Sequence, residues 1–401
     1  MQKKSFVPFR FQVLKARRKT RSIAIGEEVI IGGQSPISVQ TMTNTNTLDV
    51  QATVEQAVDC VKAGAELVRI TVPTPQHAQA FSEIKNQLRK KGYKVPLIAD
   101  IHFLPSAALA VLPFADKVRI NPGNFLDKRV FKEEKLTDKI YQQELKKIEL
   151  DLLPFIKEFK KADKPIRIGT NHGSLSDRIT NRYGNTPVGM VEATMEYLRI
   201  FFKHKFYKIV VALKASDPLI MIEANRLLAF QMDKEGFDCP IHLGVTEAGN
   251  ASEGRAKSTI GIGTLLLDGI GDTIRVSLTE DPVNEPVEGY NILQACRRRI
   301  SRAEFISCPS CGRTLYDIQA TVNVIKKELE HLKGLKIGIM GCAVNGPGEM
   351  ADADFGYVGG APGKINLYKG KKIVKSNIPQ EEALRHLVQL IKDNGCWVDK
   401  K

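Results

Sequence analysis

The sequence predicts an α/β fold, a TIM (β/α)8 barrel followed by a smaller α+β domain. Short β-rich runs alternate with longer stretches of helical spacing from about residue 36 to residue 280, as expected for successive β/α units. Nearly every β-rich run ends in a polar or charged residue, and in such barrels the ligand binds at the carboxyl ends of the strands. A chain of 401 residues is long enough for one large and one smaller domain.

The alternating runs supply the barrel elements in order. The predicted strands are 36–40, 67–70, 96–101, 117–120, 165–168, 208–213, 241–245 and 272–277. Helical spacing, which several times ends at a glycine, covers 52–64, 76–92, 188–203 and 218–236. The charged stretch 128–164 predicts one long or broken helix, and 287–302 predicts the helix that closes the barrel. Eight such units favour a closed parallel barrel.

The chain is expected to have three parts. Residues 1–22 contain eight Lys or Arg and no Asp or Glu, which predicts a short basic arm. The arm runs directly into a β-rich run at residues 23–26, where the barrel domain is expected to begin. The barrel domain is predicted to span 23–303 and the second domain 304–401.

Composition excludes several classes of protein. The hydrophobic fraction is 43%, and no apolar run approaches the roughly twenty residues needed to cross a bilayer, so no membrane partner is expected. Seven cysteines is an odd number for a disulfide framework, which favours a reducing compartment, the cytoplasm first and the plastid stroma second. The cysteines outside the motifs described below predict structural thiols, at Cys60, Cys239, Cys296 and Cys396.

The formal net charge of +14 divides between two sets of cations. Clusters at 15–21, 297–299 and 369–372 lie in predicted termini, helices or loops, where solvated side chains explain them. No aromatic residues interleave with them in a stacking pattern, so no nucleic-acid partner is expected. The second set stands at the ends of predicted strands and is more informative.

Polar side chains at the predicted strand ends would converge on one barrel mouth. They are Arg69, Asp100, His102, Arg119, Asn121, Asn124, Arg167, Asn171, Lys214, Glu247, Arg275 and Ser277. For any single residue, an exposed or salt-bridged strand end explains the pattern equally well. Five cations at the same mouth are not easily explained in this way, because they would repel one another. An anion of several charges, such as a diphosphate, would relieve that repulsion.

Three side chains at this mouth are candidates for proton transfer. Glu247 is the carboxylate at the mouth best suited to exchange a proton with a ligand. His102 and His242 could assist. A lone histidine at a strand end more often satisfies a local hydrogen bond, so both rank below Glu247.

The C-terminal quarter carries a candidate metal centre. Cys308 and Cys311 form a C-x-x-C pair, and Cys342 follows in a Gly/Pro-rich stretch that ends at Glu349. Three thiolates with one weakly held carboxylate suit a catalytic centre whose fourth position a substrate can occupy. The alternative is a structural zinc ribbon with His331 or Cys396 as fourth ligand, attached to a barrel that binds RNA or another polyanion.

Several segments together carry a resemblance to a known family: 36–42, 100–102, 118–124, 166–171, 173–174, 243–249, 308–311 and 341–349. On these segments the chain resembles the 4-hydroxy-3-methylbut-2-enyl diphosphate synthases, iron–sulfur reductases of the methylerythritol phosphate route to isoprenoids. Segments 261–266 and 351–364 are similar to the large form of that family. Only about thirty residues separate Ser277 from Cys308, so the length indicates the two-domain form.

The resemblance implies an activity and a set of site residues. The expected reaction opens 2-C-methyl-D-erythritol 2,4-cyclodiphosphate reductively, with a ferredoxin or flavodoxin as electron donor. A [4Fe-4S] cluster would be held by Cys308, Cys311, Cys342 and Glu349, and Glu247 would act as the acid. The resemblance implies that the substrate is held by Arg69, Asp100, His102, Arg119, Asn121, Arg167, Asn171, Ser174, Lys214, Arg275, Ser277 and Asn345.

Strand and helix count predicts a homodimer. The eighth strand ends near Ser277 at the mouth, and the closing helix would carry the chain about 24 Å away from it. The second domain would then start near the bottom of its own barrel. A head-to-tail pair of chains, in which each second domain caps the partner's barrel mouth, would complete both sites.

Overall fold

The structure is a computed structural model that describes residues 13–127 and 137–400. Two compact units divide the chain between Arg299 and Ile300, just before the predicted boundary at residue 303. In the described ranges, no helix is long and apolar enough to cross a membrane.

A two-stranded antiparallel hairpin opens the larger unit. Its strands are β1 (Ile23–Ile25) and β2 (Val29–Ile31). The predicted strand at 23–26 therefore exists, but it pairs with β2 and not with the barrel strands. Its apolar side chains pack against three residues near the amino ends of barrel strands, Leu67, Ile98 and Val210. The hairpin thus covers the barrel at the end opposite to its mouth.

Eight parallel strands form the main sheet, in the order β8-β7-β6-β5-β4-β3-β10-β9. They are β3 (Ser38–Met42), β4 (Leu67–Thr71), β5 (Leu97–Asp100), β6 (Lys117–Ile120), β7 (Ile166–Asn171), β8 (Ile209–Lys214), β9 (His242–Leu243) and β10 (Thr273–Ile274). A bridge between Val211 and Ile241 joins the two outer strands and closes the sheet. The predicted TIM barrel is confirmed.

The last two strands are shorter than predicted. β9 ends just before Gly244, where an added Cβ would lie 2.5 Å from the Arg275 carbonyl oxygen. Only glycine allows the two chains to approach this closely at the mouth. The ladder still continues briefly, because Arg275 N–H donates to the Leu243 carbonyl at 2.9 Å.

Ten helices of the described chain surround or follow these strands. They are α1 (Val50–Lys62), α2 (Pro75–Lys90), α3 (Pro105–Val111), α4 (Pro122–Phe125), α5 (Asp138–Ala162), α6 (Asp177–Tyr183), α7 (Pro187–Lys203), α8 (Pro218–Glu235), α9 (Ala251–Leu267) and α10 (Asn284–Ala295). Proline at the first helical turn, as in α2, α7 and α8, fits a position where the backbone N–H has no helical acceptor. The predicted helix at 128–164 is α5 from Asp138 onward, and residues 128–136 lie outside the described residues.

The predicted closing helix at 287–302 is wrong at both ends. α10 runs from Asn284 to Ala295 and stops because Arg297 has a left-handed φ of 53°. Its 12 residues span about 18 Å, less than predicted. Beyond it, Arg299 donates to the Ile37 carbonyl at 3.0 Å and pairs with Glu66 at 2.7 Å. These partners precede β3 and β4, so the larger unit ends at the barrel face opposite the mouth.

The described part of the basic arm, residues 13–22, packs on the barrel. Arg17 pairs with Asp272 at 3.0 Å, and Arg18 pairs with Asp233 at 2.7 Å. Arg18 also donates to the Cys239 carbonyl at 3.0 Å. These cations therefore bind the barrel's own acidic groups. Residues 1–12 lie outside the described residues.

The second unit is built on a five-stranded sheet in the order β11-β12-β13-β14-β15. Its strands are β11 (Glu304–Ser307), β12 (Lys336–Met340), β13 (Phe355–Ala361), β14 (Lys364–Lys369) and β15 (Lys372–Pro379). β11, β12 and β13 pair in parallel, whereas β14 pairs antiparallel with β13, and β15 pairs antiparallel with β14. Its helices are α11 (Ile318–Leu329), α12 (Gly346–Glu349) and α13 (Gln380–Asp393). Apolar residues of α11, α13 and the sheet form its core.

Candidate functional site

Side chains at the carboxyl ends of the barrel strands line a cavity of about 200 Å³. Eight of its lining residues are among the predicted site residues: Arg69, Asp100, His102, Arg119, Arg167, Asn171, Lys214 and Arg275. Four others were not predicted: Met42, Gly169, Ala212 and Thr246. The convergence predicted from strand ends is therefore present in the larger unit.

Strand register explains why these residues meet. Arg119 on β6 stands beside Arg167 on β7, and Asn171 on β7 stands beside Lys214 on β8. Asp100 on β5 stands beside Arg119. Alternate residues of a strand point to the same face of the sheet. The inward-pointing residues of neighbouring strands therefore lie side by side inside the barrel, at a similar height along its axis.

Asp100 is the central anion of this cluster. Its Oδ1 accepts from Arg119 Nη1 at 3.1 Å, and its Oδ2 lies 3.6 Å from Arg69 Nε. Burial opposes ionisation of the carboxyl, but the two guanidinium groups outweigh it and hold the pKa of Asp100 well below its usual range. Asp100 is therefore ionised and fixes two of the arginines.

Arg119 has two further partners at the mouth. It donates to the Gly169 carbonyl at 2.8 Å, and its Nη1 lies 2.9 Å from His102 Nε2. A guanidinium only donates, so Arg119 is the donor in this contact, and the same His102 Nε2 also lies 3.4 Å from Asp100 Oδ2. An added Cβ at Gly169 would lie 2.6 Å from Arg119 Nε, so a glycine is needed for this arginine to fit.

Glu285 is a site residue that sequence reasoning missed. It is 2% exposed, and its Oε1 accepts from Arg275 Nη2 at 2.8 Å. Its Oε2 accepts from Thr41 Oγ1 at 2.7 Å. Glu285 stands on α10, beyond the last strand, so a rule based on strand ends could not select it. Its position in the first turn of the helix that follows the mouth is the sequence signal that could have pointed to it.

Arg69, Arg167 and Lys214 complete the cationic lining. Arg69 donates to Met42 Sδ at 2.9 Å, and burial lowers the pKa of Arg69 to about 10 although Asp100 opposes the shift. Arg167 is 1% exposed, and its Nε and Nη1 have no partner within the described residues. Burial, followed by the neighbouring arginines, holds the pKa of Lys214 well below its usual range.

The charges around the cavity do not balance. Five basic side chains face two ionisable carboxylates, Asp100 and Glu285. Such a site is suited to an anion with several charges, which would supply the missing partners of Arg167 and favour the charged form of Lys214.

Other predicted site residues lie beside the cavity and not on its lining. Asn121 Nδ2 donates to Ser174 Oγ at 2.8 Å, so these two side chains hold each other. Asn124 Oδ1 is buried and has no partner within the described residues. Ser277 is half-buried just beyond the last strand.

Glu247 lies on the solvent side of the cavity, and His242 lies on the opposite side, in the barrel interior. Glu247 is exposed in the segment after β9 and has a left-handed φ of 53°. A non-glycine residue held in that region costs backbone energy and marks a candidate functional position. His242 is fully buried below the mouth, with Nδ1 3.4 Å from Thr273 Oγ1. His242 therefore belongs to the barrel interior.

Three cysteines occupy neighbouring loops of the second unit. Cys308 follows β11, and Cys342 follows β12, which is parallel to β11. The Gly341 N–H donates to Cys308 Sγ at 3.3 Å, which ties the two loops together. The Cys311 N–H donates to Thr314 Oγ1 at 3.0 Å, and the Leu315 N–H donates to the Gly341 carbonyl at 3.0 Å. The predicted thiols therefore share one edge of the sheet.

Arg313 interacts electrostatically with the cysteines at this edge and with Glu349. Hydrogen bonds from the Arg313 backbone and side chain lower the pKa of Cys311, and the charges of Cys342 and Glu349 act on the same guanidinium. Glu349 is exposed at the end of α12, and its N–H donates to the carbonyl of Asn345 at 3.0 Å. Asn345 is also exposed and begins this short helix.

Thiols on adjacent loops with a carboxylate nearby are donors of the kind that an iron–sulfur cluster takes. In the described residues, no group of three or more His, Cys, Asp or Glu side chains is arranged to hold one metal ion. In a [4Fe-4S] cluster each thiolate binds a different iron, so the donors need not meet at one point. Three thiols and one exposed carboxylate on adjacent loops match that requirement.

The residues of the zinc alternative lie elsewhere. His331 Nε2 is 2.8 Å from the Val398 carbonyl, and its ring packs on Trp397. Cys396 Sγ lies 3.5 Å from the Asn394 carbonyl. His331 precedes β12, whereas Cys342 follows it, and five strand residues separate the two positions by about 16 Å. Neither His331 nor Cys396 is placed to complete a site with Cys342.

Comparison with known families accounts for both units. Residues 20–290 match the GcpE TIM-barrel domain, and residues 304–393 match the GcpE protein C-terminal domain. The two matches include both the cationic barrel mouth and the three cysteines.

Curated relatives are similar over almost the whole chain. A 4-hydroxy-3-methylbut-2-en-1-yl diphosphate synthase (ferredoxin) of Synechococcus sp. (strain CC9902) is 48% identical over 385 residues, which are 96% of each chain. Proteins of the same name are 47% identical in Gloeothece citriformis, over 98% of this chain and 97% of the relative, and 48% identical in Thermosynechococcus vestitus, over 96% and 95%. This chain therefore belongs to the GcpE family.

Proposed function

We propose that this chain is a 4-hydroxy-3-methylbut-2-enyl diphosphate synthase. The reaction opens the ring of 2-C-methyl-D-erythritol 2,4-cyclodiphosphate, takes two electrons and removes one hydroxyl group as water. The product is (E)-4-hydroxy-3-methylbut-2-enyl diphosphate, an isoprenoid precursor of the methylerythritol phosphate pathway. The names of the similar proteins and membership of the GcpE family support this activity.

One observation in the structure carries the proposal. Five basic side chains surround a cavity of about 200 Å³, and the carboxylates paired with them in the described ranges are Asp100 and Glu285, an arrangement whose natural ligand is a polyanion. The same chain groups three thiols on one sheet edge of its second unit. A diphosphate site and a redox centre are the two components that this reaction needs.

The barrel residues bind and orient the diphosphate. Arg69, Arg119, Arg167, Lys214 and Arg275 would neutralise its charge, and Asn171 and Ser277 would hold its oxygens. Asp100 holds Arg69 and Arg119 in position through the contacts given above. His102 accepts a hydrogen bond from Arg119 and supports the same arginine. Asn121 and Ser174 brace each other at the side of the mouth.

The second unit would hold a [4Fe-4S] cluster. Cys308, Cys311 and Cys342 would each bind one iron, and Glu349 would bind the fourth more weakly, next to Asn345. When bound, the cluster supplies single electrons and an iron that acts as a Lewis acid. The N–H of Gly341 donates to Cys308 Sγ, and hydrogen bonds to the sulfurs help to set the reduction potential of such centres.

Glu247 is our candidate for the proton donor. It is exposed, it follows β9 at the mouth, and its left-handed φ of 53° fixes the backbone at this point. A carboxyl group here would protonate the hydroxyl that leaves as water. We infer ferredoxin as the electron donor in preference to flavodoxin, because the similar proteins carry ferredoxin in their names. A reducing compartment, the cytoplasm, fits an air-sensitive centre of this kind.

We further infer a homodimer whose sites are shared between chains. The larger unit ends at Arg299, which is bound to Ile37 and Glu66 at the barrel face opposite the mouth. The test pairs Glu247→Gln in one chain with Cys311→Ser in the other. Isolated mixed dimers should regain activity, because one of their two sites would have both parts intact. No activity above either parent, with active wild-type dimers made the same way, would overturn shared sites.

The activity itself is tested by anaerobic turnover. Protein purified without oxygen should contain iron and sulfide in near-equal amounts and should convert the cyclic diphosphate to the linear allylic diphosphate with reduced ferredoxin. The product is identified by mass spectrometry. A colourless protein with one zinc ion per chain and no conversion would contradict the proposal.

A further inference from the structure

Lys117 is a buried lysine that the proposed reaction does not use. It is 0% exposed on β6, and its Nζ has no hydrogen-bond partner within the described residues. It precedes Arg119 by two positions on the same strand, so its side chain points into the barrel, one level below the mouth. Interiors of such barrels are normally filled by branched apolar residues. A lone lysine at this level therefore calls for an explanation.

The charges that act on Lys117 come from basic groups. The charges of Arg167 on β7 and Arg69 on β4 act on it, and Lys117 in turn acts on His242 on β9. Arg119 lies above it on its own strand. Among the described residues, the charges that shift Lys117 include no carboxylate. A charged ammonium in this position would be repelled and would lack a counterion.

A neutral amine fits the same position better. Burial, and then Arg167 and Arg69, hold the pKa of Lys117 well below its usual range. The neutral amine has a lone pair, and Arg167 has two donors, Nε and Nη1, without partners within the described residues. In the described residues the Lys117 Nζ makes no hydrogen bond to these donors or to any other atom, so nothing near it compensates a buried ammonium charge.

A bound diphosphate reverses this balance. Its negative charge would draw the donors of Arg167 toward the mouth and would stabilise positive charge in the level below it. In a medium of low dielectric, two or more negative charges a few ångströms away outweigh the repulsion of single arginines. The charged form of Lys117 then becomes the favoured one.

We propose that Lys117 is a further residue of the diphosphate site, a neutral amine in the free protein that takes up a proton when the diphosphate binds. It thereby becomes a sixth cation of the site, placed below the other five. This inference rests on the proposed function only in that the ligand is a diphosphate.

Calorimetric titration tests the proton uptake directly. The cyclic diphosphate is titrated into the anaerobic holoprotein at one pH in two buffers of different ionisation enthalpy, which gives the number of protons bound with the ligand. Wild type should take up about one proton more than Lys117→Met. Lys157→Met, which removes an exposed lysine of α5, should match wild type. Equal uptake in wild type and Lys117→Met would overturn the inference.

The pH dependence of affinity gives a second test. Proton uptake occurs between the pKa of Lys117 in the free protein and its higher value in the complex, so in that window affinity should fall as pH rises, by up to about tenfold per pH unit. Lys117→Met should lose this part of the dependence. The same pH profile in both proteins would contradict the inference.

Unfolding tests the free state without ligand. If the native amine is neutral, the unfolded chain binds a proton that the native protein does not, and wild type loses stability as pH falls from about 10. The melting temperature of Lys117→Met should therefore rise relative to that of wild type as pH is lowered from about 10. A difference between the two melting temperatures that does not change with pH would overturn the inference.

These measurements separate the inference from the proposed function. Normal binding and turnover of the cyclic diphosphate, with no difference in proton uptake between wild type and Lys117→Met, would refute the role of Lys117 alone. No binding of the cyclic diphosphate to the intact holoprotein would refute the proposed function, and the inference with it.

Discussion

Arg275 and Glu285 form an ion pair that joins the last barrel strand to the helix after it. Arg275 Nη2 donates to Glu285 Oε1 at 2.8 Å, and Arg275 Nε donates to Oε2 at 3.1 Å. The glutamate is 2% exposed, and Thr41 donates to it from β3. Glu285 therefore fixes the direction of a cation that lines the ligand cavity, although it does not line the cavity itself.

Replacing Glu285 by Ala should destabilise the barrel strongly. Arg275 would be left partly buried without its counterion, and breaking a buried pair in this way costs about 3 kcal/mol or more. Glu253→Gln, which affects an exposed pair with Lys257, should leave stability close to that of wild type, because solvent screens exposed pairs. Denaturant unfolding measures both. Equal effects of the two substitutions would show that the Arg275–Glu285 pair does not support the mouth.

The second prediction concerns acid sensitivity at Asp100. Because Arg69 and Arg119 hold the pKa of Asp100 below its unfolded value, its stabilisation is fully present above about pH 4 to 5 and is lost as pH falls further. Asp100→Asn should therefore be less stable than wild type at pH 7, by a gap that stays constant down to about pH 5 and narrows as pH falls from about 4 toward about 2. Thermal unfolding at several pH values measures this gap.

The exposed Asp163 supplies the control for that experiment. Its side chain is 78% exposed beside Lys208, and asparagine tolerates its left-handed backbone. Asp163→Asn should differ little from wild type at these pH values. A gap between Asp100→Asn and wild type that stays constant from about pH 5 to about pH 2 would contradict an ionised Asp100 between the two arginines.

Glu247→Gln should abolish most turnover and leave the cluster intact. The substitution removes a proton donor and no cluster ligand, and loss of a general acid typically costs 10²- to 10⁴-fold, about 100-fold at the least. The visible absorption and the iron content should equal those of wild type. Turnover near the wild-type rate, under conditions where Glu253→Gln is also active, would remove Glu247 from the mechanism.

Cys311→Ser and Cys396→Ser make a matched pair for the cluster. Both cysteines are exposed in the second unit, but only Cys311 is an expected ligand. Cys311→Ser should lose iron and sulfide on purification, whereas Cys396→Ser should keep the wild-type content. Chemical analysis of both elements per chain measures this. A full, active cluster in Cys311→Ser would refute the ligand assignment.

Most of the barrel and its mouth could be predicted because the relevant signals are local. Alternating β-rich and helical segments gave the eight strands, and residues at their carboxyl ends had to meet. Arg119 and Arg167 are neighbours simply because β6 and β7 pair in register. The C-x-x-C motif could also be recognised in the sequence, because Cys308 and Cys311 are close together along the chain.

The features that could not be predicted depend on contacts between distant segments. Glu285 reaches Arg275 from a helix, and Met42 meets Arg69 only after β3 and β4 pair. The closing helix ends early because Arg297 adopts a left-handed backbone, which no residue pattern announces. In the sequence Lys117 resembles an ordinary strand residue, and only the structure shows that its Nζ has no hydrogen-bond partner among the described residues.

Electron counting tests the central proposal most directly. A known amount of reduced ferredoxin is mixed anaerobically with the holoprotein and the cyclic diphosphate, and oxidised ferredoxin and the linear product are quantified together. Because the reaction takes two electrons and a ferredoxin with one [2Fe–2S] cluster supplies one, we predict two ferredoxins oxidised for each product formed. Ring opening without oxidation of ferredoxin, or oxidation of ferredoxin without loss of the cyclic diphosphate, would contradict the proposed reaction.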